Sequence, residues 1–241
     1  MIDQQIKRLI RIRNPSDPLQ YAHDLVRDIA YEKLCDTIKH CQDCPIHEGV
    51  RTLPKGRIDA PVMVVSEAAT YTQQNLNTDF VQAASQKHSL FEAFLGRYGI
   101  DQDNVFYVNT INCFPSRINE QGETVSRTPT VQEVTNCQLF VDYAISLVQP
   151  KLIIVLGAVA LNIFKKKVAI SQERGQLFEI NRTLAMATYH PDYFNKIADK
   201  KDPELVDELK IDFEQDLLSA FQAYEKKYPG FPLMTNPKGE C

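Results

Sequence analysis

Short apolar runs of strand length recur along the chain: VMVV within residues 60–66, VFYV within 104–111, LIIVL within 151–157 and LAMA within 183–188. Each is apolar at successive positions, so both faces of the strand it forms must be covered. Segments with apolar residues at helical spacing separate them. Strands alternating with helices in this way predict an α/β fold: a three-layer α/β/α sandwich with a central parallel sheet.

The helical segments carry their own punctuation. Residues 17–40 place Leu19, Ala22, Leu25, Val26, Ile29, Leu34 and Ile38 at helical spacing. Residues 85–99 end at Gly99, and residues 130–150 have Thr130 as a cap and Pro150 beyond the end. A further helix starts after Gly157, and a terminal one is stopped by Pro229 and Gly230. Residues 114–130 are polar and rich in turn formers, which predicts a mobile loop or insertion. The expected organisation is a helical extension over 1–40, a main domain over 41–200, and a helix and tail over 201–241.

Apolar residues make up 44% of the 241 and charged residues 24%, with a formal charge of −4. That balance excludes a uniformly basic surface. The lysines at 165–167 and 200–201 read as solvated helix ends. No apolar run reaches the roughly 20 residues of a membrane helix, and the first residues lack a secretory pattern. The expectation is a cytoplasmic protein with no membrane partner.

Three strand ends carry chemistry: Ser66 and Glu67; Asn109, running on to Cys113; and Tyr189, His190 and Pro191. Parallel strands put such ends along one edge of the sheet, where α/β proteins bind ligands. Each group alone reads as an ordinary turn or core residue; their joint placement suggests a site.

Six cysteines are present: Cys35, Cys41, Cys44, Cys113, Cys137 and Cys241. Cys41-x-x-Cys44 is a chelating pair, since two thiolates reach one metal from a single turn. Cys113 and Cys137, 24 apart, are candidates to complete the set. Four thiolates fit zinc or a [4Fe–4S] cluster, and spacing does not choose between them. Burial as small apolar residues is the competing reading for Cys113 and Cys137.

The motifs CQDC, VMVVSEAAT, DFVQAAS, YVNTINCFP, TNCQLF, PKLIIVLG, ERGQLF and TYHPDYF occur in that order from Cys41 to Phe194. In this order the chain resembles the family 4 uracil-DNA glycosylases, iron–sulfur members of the uracil-DNA glycosylase superfamily. The resemblance implies a [4Fe–4S] cluster on Cys41, Cys44, Cys113 and Cys137. It implies that uracil is flipped out of single- or double-stranded DNA and its N-glycosidic bond hydrolysed. Phe80 would stack on the base, Asn109 would read its edge, and His190 would donate to its O2 carbonyl, where charge develops. Glu67 would position water, with Ser66 and Ala68 in the same base-binding loop. Tyr193 and Phe194 fall where an aromatic wedge would enter the DNA. The implied protein is a monomer working with DNA and with replication or repair proteins.

One stretch departs from the family pattern. Ser66, Thr70, Asn77, Gln82 and Ser85 stand where the family has glycine, Ala69 replaces its proline, and Gln73-Gln74 replaces a Glu-Asp pair. Side chains there narrow the pocket or move the loop. Two readings follow: a glycosylase with an altered pocket, acting on uracil or a related pyrimidine, or a non-catalytic member used as a DNA- or protein-binding module. A zinc-containing nucleotide-binding protein is a third, disfavoured by the lack of a glycine-rich phosphate loop.

Overall fold

The computed structural model describes residues 18–49, 51–68, 89–198, 202–236 and 238. Its centre is a five-stranded sheet built from β1 (Val62–Ala68), β2 (Val105–Ile111), β5 (Leu152–Leu156), β6 (Leu177–Ile180) and β7 (Thr183–Thr188). The spatial order is β2-β1-β5-β7-β6. β2, β1, β5 and β7 run parallel, in a register that sets Ser66 opposite Asn109 and Leu156 opposite Thr188.

Helices cover both faces. Val62, Val64, Leu152 and Ile154 pack on one side with α2 (Ser89–Arg97), α6 (Pro191–Ala198) and α7 (Pro203–Lys227), through Phe91, Phe94, Phe194, Phe213 and Phe221. Met63, Val65, Ile153 and Val155 pack on the other with α1 (Pro18–His40), α3 (Val131–Val148), α4 (Ala158–Phe164) and the short α5 (Ile170–Glu173). Alternate residues of one strand thus enter opposite cores, which is why the strands read as unbroken apolar runs.

The two end helices belong to these cores. Leu34 and Ile38 of α1 are buried, and the Arg27 side chain donates to the Leu147 and Val148 carbonyls at the end of α3, at 2.8 and 3.0 Å. On α7, Leu217, Ala220, Phe221 and Tyr224 are all essentially inaccessible.

The sheet is mixed rather than wholly parallel. β6 returns antiparallel to β7 through a tight turn at Asn181 and Arg182, both at positive φ (49° and 68°). Such a turn matches the twist of a two-residue hairpin. Strand β1 also runs two residues past its predicted end, so Ser66 and Glu67 are still within it.

Residues 114–130, expected as a mobile loop or insertion, contain regular structure. Ser116–Ile118 (β3) and Thr124–Ser126 (β4) form an antiparallel hairpin. Asn119 holds its tip by accepting from the Gln121 and Glu123 main-chain N–H groups. Its base is fixed by Arg127, which donates to the Ser116 carbonyl at 3.0 Å and in a fork to Glu133 at 2.6 and 2.8 Å. Glu133 and Thr130 cap α3 reciprocally. Arg127, and then the cap, hold the buried Glu133 carboxyl well below the usual carboxylate range, at about 2.

A carboxyl depressed in this way stabilises the fold above its ordinary pKa, and the contribution is lost as pH falls from about 5 towards about 2. Glu133→Gln is expected to cost about 2 kcal/mol at neutral pH. Its urea midpoint should also change less than that of the native protein between those pH values.

Candidate active site

Buried polar side chains are rare in this core, and most of them gather at the carboxyl ends of the parallel strands. Ser66, Asn109, Thr110, Asn112 and Thr188 are all within 3% of complete burial. Burying a polar group without a partner costs about 1–3 kcal/mol, so each of these groups needs a partner, and where those partners lie defines the site.

The edge joins β1 to the segment after β7. Ser66 Oγ lies 2.9 Å from His190 Nε2. The Asp192 main-chain N–H donates to His190 Nδ1 at 3.1 Å. An accepting Nδ1 places the ring proton on Nε2, which therefore donates to Ser66. Thr110 Oγ1 donates to the Ser66 carbonyl at 2.9 Å and holds that residue from β2.

The segment carrying His190 is braced from below. Thr188 Oγ1 donates to Asp216 on α7 at 2.7 Å, and Arg174 donates to both Asp216 oxygens at 2.9 Å. A Cβ on Gly175 would lie 2.6 Å from Asp216 Oδ1, which explains glycine beside that arginine. Burial raises the Asp216 carboxyl, while Thr188 and Arg174 oppose the rise. The Arg174 guanidinium also lies over the Tyr189 ring, 5.3 Å from its centre.

Glu67 sits beside the start of α4. Its Oε1 accepts from the Val159 N–H at 3.2 Å. Gly157, at φ 91°, gives it room: a Cβ there would lie 2.8 Å from the Glu67 carboxyl carbon.

Asn109 is held from outside the sheet. Its Nδ2 donates to Thr52 Oγ1 at 2.8 Å, and its Oδ1 is buried with no hydrogen-bond partner among the described residues. Thr52 belongs to a segment lying along β2: its N–H reaches the Asn112 carbonyl at 2.8 Å, and Lys55 and Tyr107 exchange main-chain bonds at 2.7 and 2.9 Å.

The same segment leads to the cysteines. Cys44, Cys113 and Cys137 are buried and Cys41 is partly so. Burial pushes the Cys137 thiol up to about 12, and the charges of Cys44, Cys113 and Cys41 push in the same direction. Cys113 is likewise raised by burial and by Cys41 and Cys44, against Arg51, which donates to its sulfur. Arg51 also donates to the Cys41 carbonyl at 2.6 Å, and Asn136 donates to Cys44 Sγ at 3.4 Å. The four thiols therefore share one electrostatic neighbourhood. Among the described residues, no three of His, Cys, Asp or Glu are spaced to hold one metal ion as they stand. Burial and the neighbouring sulfurs both oppose ionisation of these thiols, so a soft metal cation, whose charge stabilises thiolates, is the kind of group this donor set fits.

Among the sequence candidates, Ser66, Glu67, Ala68, Asn109 and His190 fall on this edge, and the four cysteines lie near one another. Tyr193 is exposed and stacked on Tyr189, with ring centres 5.6 Å apart. Phe194 is buried against Phe213, so it is a core residue and not a wedge. Phe80 and the glycine-free stretch from Ala69 lie outside the described residues. Thr52, Arg51, Asn112 and Asp216 were not sequence candidates.

Residues 53–214 match the family model of the uracil DNA glycosylase superfamily. The chain is 29% identical over 173 residues to a type-4 uracil-DNA glycosylase of Thermotoga maritima, covering 69% of this chain and 84% of the relative. A type-4 uracil-DNA glycosylase of Pyrobaculum aerophilum is 31% identical over 131 residues, 54% of this chain and 61% of the relative. One of Sulfurisphaera tokodaii is 25% identical over 171 residues, 66% and 73% of the two chains.

Gly157→Ala is expected to displace Glu67 and to lower stability by about 2 kcal/mol, through the contact and the positive φ. Gly96, in α2 with open space around it, is the control. Its alanine variant should gain about 0.5 kcal/mol, and thermal unfolding of the two variants measures the contrast.

Proposed function

The chain belongs to the uracil DNA glycosylase superfamily, and we propose that it hydrolyses the N-glycosidic bond of uracil, or a related pyrimidine, flipped out of DNA. The observation that carries this reading is the pairing of His190 and Asn109 at one sheet edge: His190 offers an Nε2 proton and Asn109 an unpaired buried acceptor. Uracil complements both, with an N3–H donor and a carbonyl at O2.

The chemistry follows from where charge develops. Breaking the bond leaves negative charge on the base and an electron-poor sugar. A proton donor already oriented towards O2 stabilises that state more than the ground state. In the free protein the His190 proton rests on Ser66, so the base carbonyl would take the place of the serine oxygen. Phe80 would stack on the base, Glu67 would hold the attacking water, and Ser66 and Ala68 would line the base site. Tyr193 would fill the gap left in the DNA.

Cys41, Cys44, Cys113 and Cys137 would hold a [4Fe–4S] cluster, with zinc as the alternative. Bound there, the group would cross-link the end of α1, the segment after β2 and α3, and so steady the segment around Arg51 and Thr52 that reaches Asn109.

The second reading, a non-catalytic DNA- or protein-binding member, is favoured by the Ser66 hydroxyl, which occupies the donor that catalysis requires. Excision from single-stranded DNA containing uracil separates the two. The intact, cluster-loaded protein should release uracil, and His190→Ala and Asn109→Ala should each lower the rate by about 100-fold or more. No release from uracil or hydroxymethyluracil would overturn the enzymatic reading. Anaerobically purified protein should absorb near about 400 nm and lose the band in Cys113→Ser. Zinc alone, after anaerobic reconstitution with iron and sulfide, would overturn the cluster.

A further inference from the structure

Asn109 can read a base in either of two orientations, because turning its amide over exchanges a donor for an acceptor. The structure contains a device that chooses between them. Thr52 is buried, and its Oγ1 lies 2.8 Å from Asn109 Nδ2 and 3.2 Å from the Asn112 carbonyl oxygen. A hydroxyl has one proton to give. The Asn112 oxygen can only accept, so the Thr52 proton goes there and Thr52 meets Asn109 as an acceptor. Asn109 must then present Nδ2 to Thr52, which leaves Oδ1 on the other side of the amide.

Turning the amide over would set its oxygen against the threonine oxygen, unless Thr52 gave up the Asn112 carbonyl. The main chain resists a shift of Thr52 itself, since its N–H is bonded to the same carbonyl at 2.8 Å. The free edge of Asn109 is therefore held as an acceptor, and Oδ1 is buried without a partner among the described residues. A ligand that brings an N–H satisfies it. One that brings a lone pair meets an unpaired oxygen and is rejected strongly, as in other sites built around a required hydrogen bond.

We propose that Thr52 is the positioning residue that sets base selection: by locking the Asn109 amide, it admits pyrimidines with an N3–H, such as uracil, and rejects cytosine, whose N3 is an acceptor. The inference rests on the reading that Asn109 meets the base. Thr52 itself touches no substrate.

The test compares Thr52→Val and Thr52→Ala, which lack the hydroxyl, with Thr52→Ser, which keeps it. Two quantities are read in cluster-loaded protein: the ratio of uracil to cytosine excision from single-stranded DNA, and hydrogen exchange of the Asn109 side-chain amide by ¹H–¹⁵N NMR. The hydroxyl-free variants should lower the ratio by about tenfold or more and speed amide exchange by a similar factor. Thr52→Ser should stay within about threefold of the native protein in both. A structural role alone would lower excision of uracil without moving the ratio. An unchanged ratio in a folded hydroxyl-free variant, or an Asn109 amide that already exchanges freely in the native protein, overturns the proposal. If both hydroxyl-free variants fail to fold, native-protein exchange decides the lock. An intact protein that excises no uracil refutes the proposed function and the base-selecting role with it, while amide exchange still decides whether Thr52 holds Asn109.

Discussion

The pairing of residues 51–55 with the edge of β2 is the interaction on which the site depends. Through it the Thr52 N–H meets the Asn112 carbonyl, Lys55 meets Tyr107, and Arg51 comes to rest beside Cys113. One short strap thus touches both the amide at the sheet edge and the thiols beyond it. An edge strand exposes unpaired main-chain groups. Covering part of the β2 edge with this segment also brings Thr52 to Asn109. Asn112 shows how tightly the two regions are joined: its carbonyl accepts from Thr52, and its N–H donates to the Cys137 sulfur.

Behind the strap, parallel register does the rest. Ser66 lies opposite Asn109, and Leu156 lies opposite Thr188, so β1, β2 and β7 deliver their polar ends to one edge. The His190 segment gains its rigidity from farther away. Asp216, from the terminal helix, gathers Thr188 and Arg174, and Gly175 makes room for it. A donor held by its surroundings before substrate arrives costs little reorganisation during reaction. The Ser66 hydroxyl is a competing partner, and under the proposed function a substrate carbonyl would have to replace it.

The main strands were legible because they are buried on both faces: VMVV and LIIVL have no polar side to show, so their composition alone marks them. The cap of α3 was legible because its partners, Thr130 and Glu133, are near in sequence. The hairpin of β3 and β4 was not. Its strands are short and largely exposed, and no burial imposes an apolar alternation on them. β6 escaped strand assignment for the same reason, since only Ile180 of its four residues is buried. Phe194 looked like a candidate wedge because sequence does not say which face of α6 meets the core. At the site, Ser66, Asn109 and His190 stood out as polar residues ending apolar strands. Thr52 and Asp216 act through partners 57 and 28 residues away, in Asn109 and Thr188, and no local pattern announces such pairs.

Under the proposed function, this sheet edge is built around uracil. A crystal structure of the cluster-loaded protein soaked with free uracil tests it most directly. The base is expected at the carboxyl ends of β1 and β2, with its N3–H on Asn109 Oδ1 and its O2 on His190 Nε2 in place of Ser66. Uracil bound elsewhere, or bound there with Asn109 Oδ1 still unpaired, would contradict it.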